Sequence, residues 1–262
     1  MSPIQPSLVP PNVAFEIQDC TDVDWYRKPA SHDLIHASML VGSLPSHSKL
    51  MQTARRYLKP GKGWLECLEI QFNVSCDDDT IPSNWALSEW FKCHREGYSN
   101  FRSPRTLTIS DKLVKVMEEA GFVDIQERVD KIPINPWPKD PFLKRVGQMW
   151  ETNWLEGLAG FSNKMYGPDG LGWSQNELEV FLVDVRKCIR DRNVHAYQKF
   201  HVVWGRRPSE EEEKTLKKPV KIVGPKKPGE TAKSETSKSA SGQGKTNMGP
   251  PPSPKGKKKA TM

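Results

Sequence analysis

Residues 32–70 leave this chain its fewest folding options: two apolar runs joined by an amphipathic helical pattern, all within about 40 residues. Leu34, Ile35, Met39, Leu40 and Val41 make the first run nearly continuous, as in a strand covered on both faces of a parallel sheet. Pro45 suits a first helical turn, Leu50, Met51, Ala54, Tyr57 and Leu58 recur at helical spacing, and Lys59-Pro60-Gly61 stops the pattern. Residues 64–70 read as the second strand. Strand, helix and strand in so short a span make a βαβ unit, whose strands lie parallel and whose ligands bind beyond the strands' carboxyl ends. Those ends are residues 36–38 and 69–71.

The flanking sequence extends this unit into an α/β domain. Residues 13–17 alternate Val13, Phe15 and Ile17 and predict another strand, with Asp19 and Cys20 just beyond it. Residues 22–31 are a polar connection anchored by Trp25 and Tyr26. Helices are predicted over 85–97, 110–120, 141–161 and 174–190, the last opened by the capping box Ser174-x-x-Glu177 and the second closed by Gly121. Strands are predicted over 122–134 and 195–205. No internal repeat of fixed period is visible.

Charge divides the chain in two. From Ser209 onward 13 lysines stand against 6 glutamates, which is the whole net charge of +7; the remaining 26 basic and 26 acidic residues balance. A tail rich in Lys, Ser, Pro and Gly, with no aromatic residue, cannot bury enough apolar surface to offset its chain entropy, so residues 209–262 are expected to be disordered and 1–208 to fold. The neutral body argues against specific nucleic-acid binding. No segment reaches the roughly 18 apolar residues of a membrane span, and no signal pattern opens the chain, which predicts a cytoplasmic and/or nuclear protein. The five cysteines are scattered without CxxC spacing, which predicts reduced thiols, mostly buried, and no metal site.

The blocks SPIQPSLVPPNVAFEIQDCTD, HDLIHASMLVGS, LKPGKGWLECLE, LVKVMEEAGFVDIQE, PINPWPKDP, LGWSQNELEVFLVDVRKCIRD and HAYQKFHVVWGRRP occur in this order. As a series they resemble the fungal S-adenosylmethionine-dependent methyltransferases of the LaeA-like group, over about residues 2–208. The resemblance implies a Rossmann-like class I methyltransferase sheet with inserted helices, S-adenosylmethionine as cofactor, and as partners a methyl acceptor, small metabolite or protein, and a regulatory protein. It also implies a departure. Members carry a first strand ending in E/D-x-G-x-G-x-G and a second ending in an acidic residue just before the SPIQP segment, where Met1 stands here. The expectation is therefore an N-terminally truncated domain, a fragment of a longer methyltransferase or a shortened regulatory form, that does not methylate by itself.

Site residues carry over position by position. Asp19 and Cys20 match the segment after the third strand, where the resemblance implies contact with the adenine through a carboxylate and a backbone N–H. Absent the resemblance, Asp19 reads as a loop-capping residue. His36 and Ala37 match the fourth strand's end, where backbone carbonyls face the methionine ammonium; otherwise His36 reads as a core histidine. Glu66 and Glu69 are unusual in a buried strand. Glu69, nearer the carboxyl end, is the candidate for substrate contact or general-base work, with a solvated strand end as the alternative. Trp137, Trp150, Trp154 and Trp173 fall in the inserted helical regions, where they stack on a substrate or pack the core. The three carboxylates of residues 77–79 read as a cation site or a solvated turn.

Overall fold

The computed structural model describes residues 8–101 and 105–215. The βαβ unit forms as its pattern requires. β1 (Leu34–Ser38) runs parallel to β2 (Trp64–Ile70), and α1 (His47–Tyr57) crosses between them. Ser46 is the N-cap of α1, its hydroxyl accepting from the Lys49 N–H, so Pro45 lies just outside the first turn. The sheet continues with β4 (Tyr197–Arg206), antiparallel to β2, and β3 (Val123–Pro133), antiparallel to β4, in the order β1-β2-β4-β3. It is a mixed sheet, parallel only at β1 and β2.

Two cores share the sheet. On one face α1 and α3 (Leu113–Glu119) bury Met51, Ala54, Leu113 and Met117 against Leu65, Cys67 and Val203. Gly121, at φ 82°, closes α3 in the left-handed conformation that favours glycine. Beyond the strands' carboxyl ends α2 (Ala86–Ser99), α4 (Pro141–Tyr166) and α5 (Gln175–Arg190) build a second core around Trp90, Phe91, Leu158, Tyr166, Leu182 and Val185. The capping box that opens α5 is present, and α4 is one helix running five residues past its expected end. Gly147 lets α4 approach closely, since a Cβ there would overlap the Asn135 carbonyl.

The structure corrects four expectations. Residues 13–17 form no strand; Phe15 is 54% exposed. Alternation makes a strand only where an edge is there to pair with, and none is built for this segment among the described residues. β1 is covered on one face only: Ile35 and Ala37 pack on the α1/α3 core while Leu34 is 59% exposed. Its outer edge has no partner strand among the described residues. The Trp64 N–H donates to the Asp33 carbonyl and the Met39 N–H to the Leu68 carbonyl, so alternate residues Leu34, His36 and Ser38 turn their backbone groups away from β2. Of the two expected anchors in residues 22–31, Trp25 stacks on Tyr57 with centroids 5.1 Å apart, but Tyr26 is exposed.

The fourth correction concerns the tail's expected start at Ser209. Residues Glu210–Thr215 form α6, which is clamped to the body: Glu212 receives both guanidinium nitrogens of Arg206 at 2.9 and 3.0 Å, and Glu213 pairs with Arg55 at 2.8 Å. A planar fork on a carboxylate is a strong and directional ion pair, enough to hold a six-residue helix that buries no apolar side chain. The rest of the tail lies outside the described residues. No helix of the described residues is long and apolar enough to cross a membrane. All five cysteines are free, Cys67 and Cys93 buried and the others half-buried. Burial pushes the Cys67 thiol up to about 12, which keeps it protonated and inert.

Candidate functional site

The site begins where the parallel strands end. After β1 the chain turns through Met39, held at φ 56°, and residues 40–41 are fastened by Glu69 from β2. Glu69 is 1% exposed; its two oxygens accept from the Leu40 N–H at 3.0 Å and the Val41 N–H at 2.9 Å, and His47 Nε2 lies 3.3 Å from Oε1. A carboxylate holding two backbone N–H groups and a histidine has little accepting capacity left for a substrate. Its position explains the arrangement: Glu69 points to the α1 face, where the N-terminal end of that helix favours negative charge. The solvated strand end is not what the sequence position becomes.

Above this turn lies a cavity of about 280 Å³. Met39 and Val41 come to it from β1's end and Ile70 and Phe72 from β2's, while Trp90, His94 and Tyr98 line it from α2 and Trp150, Trp154 and Phe161 from α4. The helices bring aromatic residues here because α2 and α4 are apolar on the faces they turn to one another. Gln198 fixes the wall. Its buried Oε1 accepts from both indole N–H groups, of Trp150 and Trp154, at 3.0 Å each, and its Nε2 donates to the Gln71 carbonyl. Trp150 and Trp154 pack the second core and also line the cavity. Trp173 only packs, against Tyr166, and Trp137 stacks on His195.

His94 is the residue that sequence reasoning missed. It is 3% exposed, packed between Trp90 at 4.5 Å, Phe72 at 5.0 Å and Tyr98 at 5.4 Å, with no hydrogen-bond partner for Nδ1 among the described residues. Burial alone depresses its pKa to about 4, so the ring is neutral at physiological pH. The signal was present, since His94 follows Trp90 by one helical turn on the apolar face of α2. A wider depression of about 880 Å³ adjoins the cavity at Ser43 and Tyr98 and carries Arg105, Lys164 and Asp169.

The residues expected to hold the cofactor stand apart from this cavity. Asp19 is exposed, and its Oδ1 accepts from the Thr21 hydroxyl at 2.7 Å and N–H at 2.8 Å, which lowers its pKa; Oδ2 has no hydrogen-bond partner among the described residues. Cys20 is half-buried beside it, its carbonyl accepting from the Trp25 indole. The His36 side chain reaches Glu66 at 2.7 Å on the open sheet face, a cross-strand pair in solvent, while its backbone faces the open edge. Ala37 turns its backbone toward β2. Residues 77–79 are neither a bare turn nor a cluster of three free carboxylates. Tyr197 and Lys131 bind Asp77, whereas Cys76, His195 and Thr80 bind Asp78 and hold its carboxyl far below the usual range. No group of three or more His, Cys, Asp or Glu suited to a metal exists among the described residues.

A family model described as a methyltransferase domain matches residues 2–127. Among curated proteins, the secondary metabolism regulator LAE1 of Cochliobolus heterostrophus is 32% identical over 212 residues, covering 79% of this chain and 67% of that protein. Methyltransferase pytC of Aspergillus terreus is 33% identical over 209 residues, covering 79% and 62%. The protein-methionine methyltransferase laeA of Emericella nidulans is 27% identical over 212 residues, covering 79% and 54%. The chain thus spans between about half and two thirds of the length of these relatives. A solved structure of Haemonchus contortus phosphoethanolamine N-methyltransferase 2 aligns at 14% identity over 73% of this chain and 36% of that one, with a TM-score of 0.37, too loose a likeness to carry a conclusion.

Proposed function

The chain belongs to the fungal LaeA-like methyltransferase family, and from that membership we propose that it carries the acceptor side, and part of the donor side, of an S-adenosylmethionine-dependent methyl transfer in fungal secondary metabolism. The observation that supports this most is the place of the aromatic cavity, beyond the carboxyl ends of the one parallel strand pair, where open α/β sheets bind their ligands. The open edge of β1 suits the donor: unpaired carbonyls at His36 and Ser38 match an ammonium group, and the free oxygen of Asp19 matches an exocyclic amine. When bound, that donor supplies an electrophilic methyl group. The chain's own residues position the acceptor and exclude water.

The 262 residues contain no E/D-x-G-x-G-x-G, so the second reading is a regulatory protein that keeps the methyltransferase shell and acts through a protein partner, in nucleus or cytoplasm. The relatives named as regulators favour it. Calorimetry with S-adenosylmethionine and a turnover assay separate the two. Purified residues 1–262 are expected not to methylate, and detectable turnover overturns the view that their donor site is incomplete. In a version carrying the glycine-rich strand, turnover supports the enzyme and its absence the regulator. In that version Asp19→Ala weakens donor binding more than fivefold; unchanged affinity rejects its assignment.

A further inference from the structure

We infer that the aromatic cavity takes a small, uncharged, hydroxyl-bearing aromatic compound whose hydroxyl bonds to His94. The name acceptor for this compound rests on the methyl-transfer reading above; the binding chemistry does not. Three observations select the ligand. First, the cavity lies at the small end of ligand pockets, which run from about 300 to 1,000 Å³, so one or two rings fill it. Second, among the described residues its lining has no Asp, Glu, Lys or Arg. A charged ligand would lose its hydration without gaining a counter-charge, which disfavours carboxylates and protonated amines alike.

Third, the one fully buried polar side-chain atom of the wall without a hydrogen-bond partner among the described residues belongs to His94. Gln198 and both indoles are spent on each other, whereas the His94 ring is buried without a partner for Nδ1. A neutral imidazole has one donor and one acceptor nitrogen, and the His94 ring, which lines the cavity, makes no hydrogen bond among the described residues, so a ligand group that matches it gains a partner there. A hydroxyl donates and accepts, and therefore suits either tautomer. A thioether can do neither well. The flat walls of Phe72, Trp90 and Trp154 favour an aromatic body for that hydroxyl over an aliphatic one.

The test measures binding by calorimetry at pH 7, on the whole chain and without S-adenosylmethionine, using four probes of one shape: 2-naphthol, 2-methoxynaphthalene, 2-naphthoate and 2-naphthylmethylammonium. The expected result is saturable binding of 2-naphthol, at least fivefold weaker binding of the methoxy compound, and at least tenfold weaker binding of both ions. His94→Phe should cut 2-naphthol affinity to that of the methoxy compound and leave the latter unchanged. An ion binding as tightly as 2-naphthol, a hydroxyl preference that survives His94→Phe, or no saturable binding overturns the proposal. Should His94→Phe fail to fold, nitrogen resonances of the histidine rings in the unaltered chain give the answer, since 2-naphthol must shift those of His94, and their silence overturns it. Failure of the methyl-transfer reading looks different: a donor-complete version would bind 2-naphthol and transfer no methyl group.

Discussion

Replacing Gln198 with leucine tests whether one buried amide holds the cavity wall. Gln198 is 1% exposed and makes three side-chain hydrogen bonds, accepting from Trp150 and Trp154 and donating to the Gln71 carbonyl. Leucine fills much of the same volume and removes all three. Each buried group left without a partner costs about 1–3 kcal/mol. Trp154 is buried and bears that cost in full, while the half-buried Trp150 recovers part of it from water. The expected loss is therefore about 2–4 kcal/mol, a large share of the 5–15 kcal/mol typical of a domain. Urea unfolding followed by circular dichroism measures it. The decisive comparison is a cycle with Trp154→Phe, which deletes the orphaned donor: the double variant should be more stable than the sum of the single effects predicts, by about 1–3 kcal/mol. Additivity within about 0.5 kcal/mol, or a Gln198→Leu loss below about 1 kcal/mol, would refute the reasoning.

Three further outcomes follow from the same structure. His94 has a folded-state pKa of about 4 against an ordinary 6.5, so between those values the unfolded chain binds a proton that the folded chain does not; stability from its neutral burial is present above about pH 6.5 and falls by about 3 kcal/mol as pH drops to 4. Urea midpoints of the chain and of His94→Phe should therefore converge as pH falls through that window, and a constant gap rejects the assignment. Glu69→Ala strips the acceptor from the Leu40 and Val41 N–H groups and should cost about 2–4 kcal/mol; a denaturant midpoint shifted by less than about 1 kcal/mol would mean that Glu69 is free for other work. Gly147→Ala pushes a methyl group into the Asn135 carbonyl and should cost about 1–3 kcal/mol, read as a lower Tm; an unchanged Tm would show that α4 can shift away.

What was legible in the sequence was what neighbours along the chain decide. The βαβ unit came out within a residue or two because its apolar spacing and its Lys59-Pro60-Gly61 stop are both local. Residues 13–17 show the limit: the alternation is local, but a strand's hydrogen bonds come from elsewhere. The site was less readable for the same reason. Glu69 stood out correctly as a carboxylate in an apolar strand, yet its partners, the backbone of Leu40 and Val41, are 28 and 29 residues away, and their use of both oxygens cannot be read from spacing. His94 is depressed by burial that α4 and Phe72 complete from distant parts of the chain. Asp78 meets His195 across 117 residues.

The clamp on α6 also sets a distance. Arg206, which holds Glu212, stands at the end of β4 beside Trp64, and Gln198, which holds the cavity wall, stands near its start. Eight residues of strand at about 3.3 Å each separate them by roughly 25 Å. Whatever is joined to the chain at Thr215, a fluorophore, a resin or a fused domain, is attached near the opposite end of β4 from the cavity. The C-terminal end of α6 is thus the natural handle for immobilising this protein while its pocket is kept open to ligands.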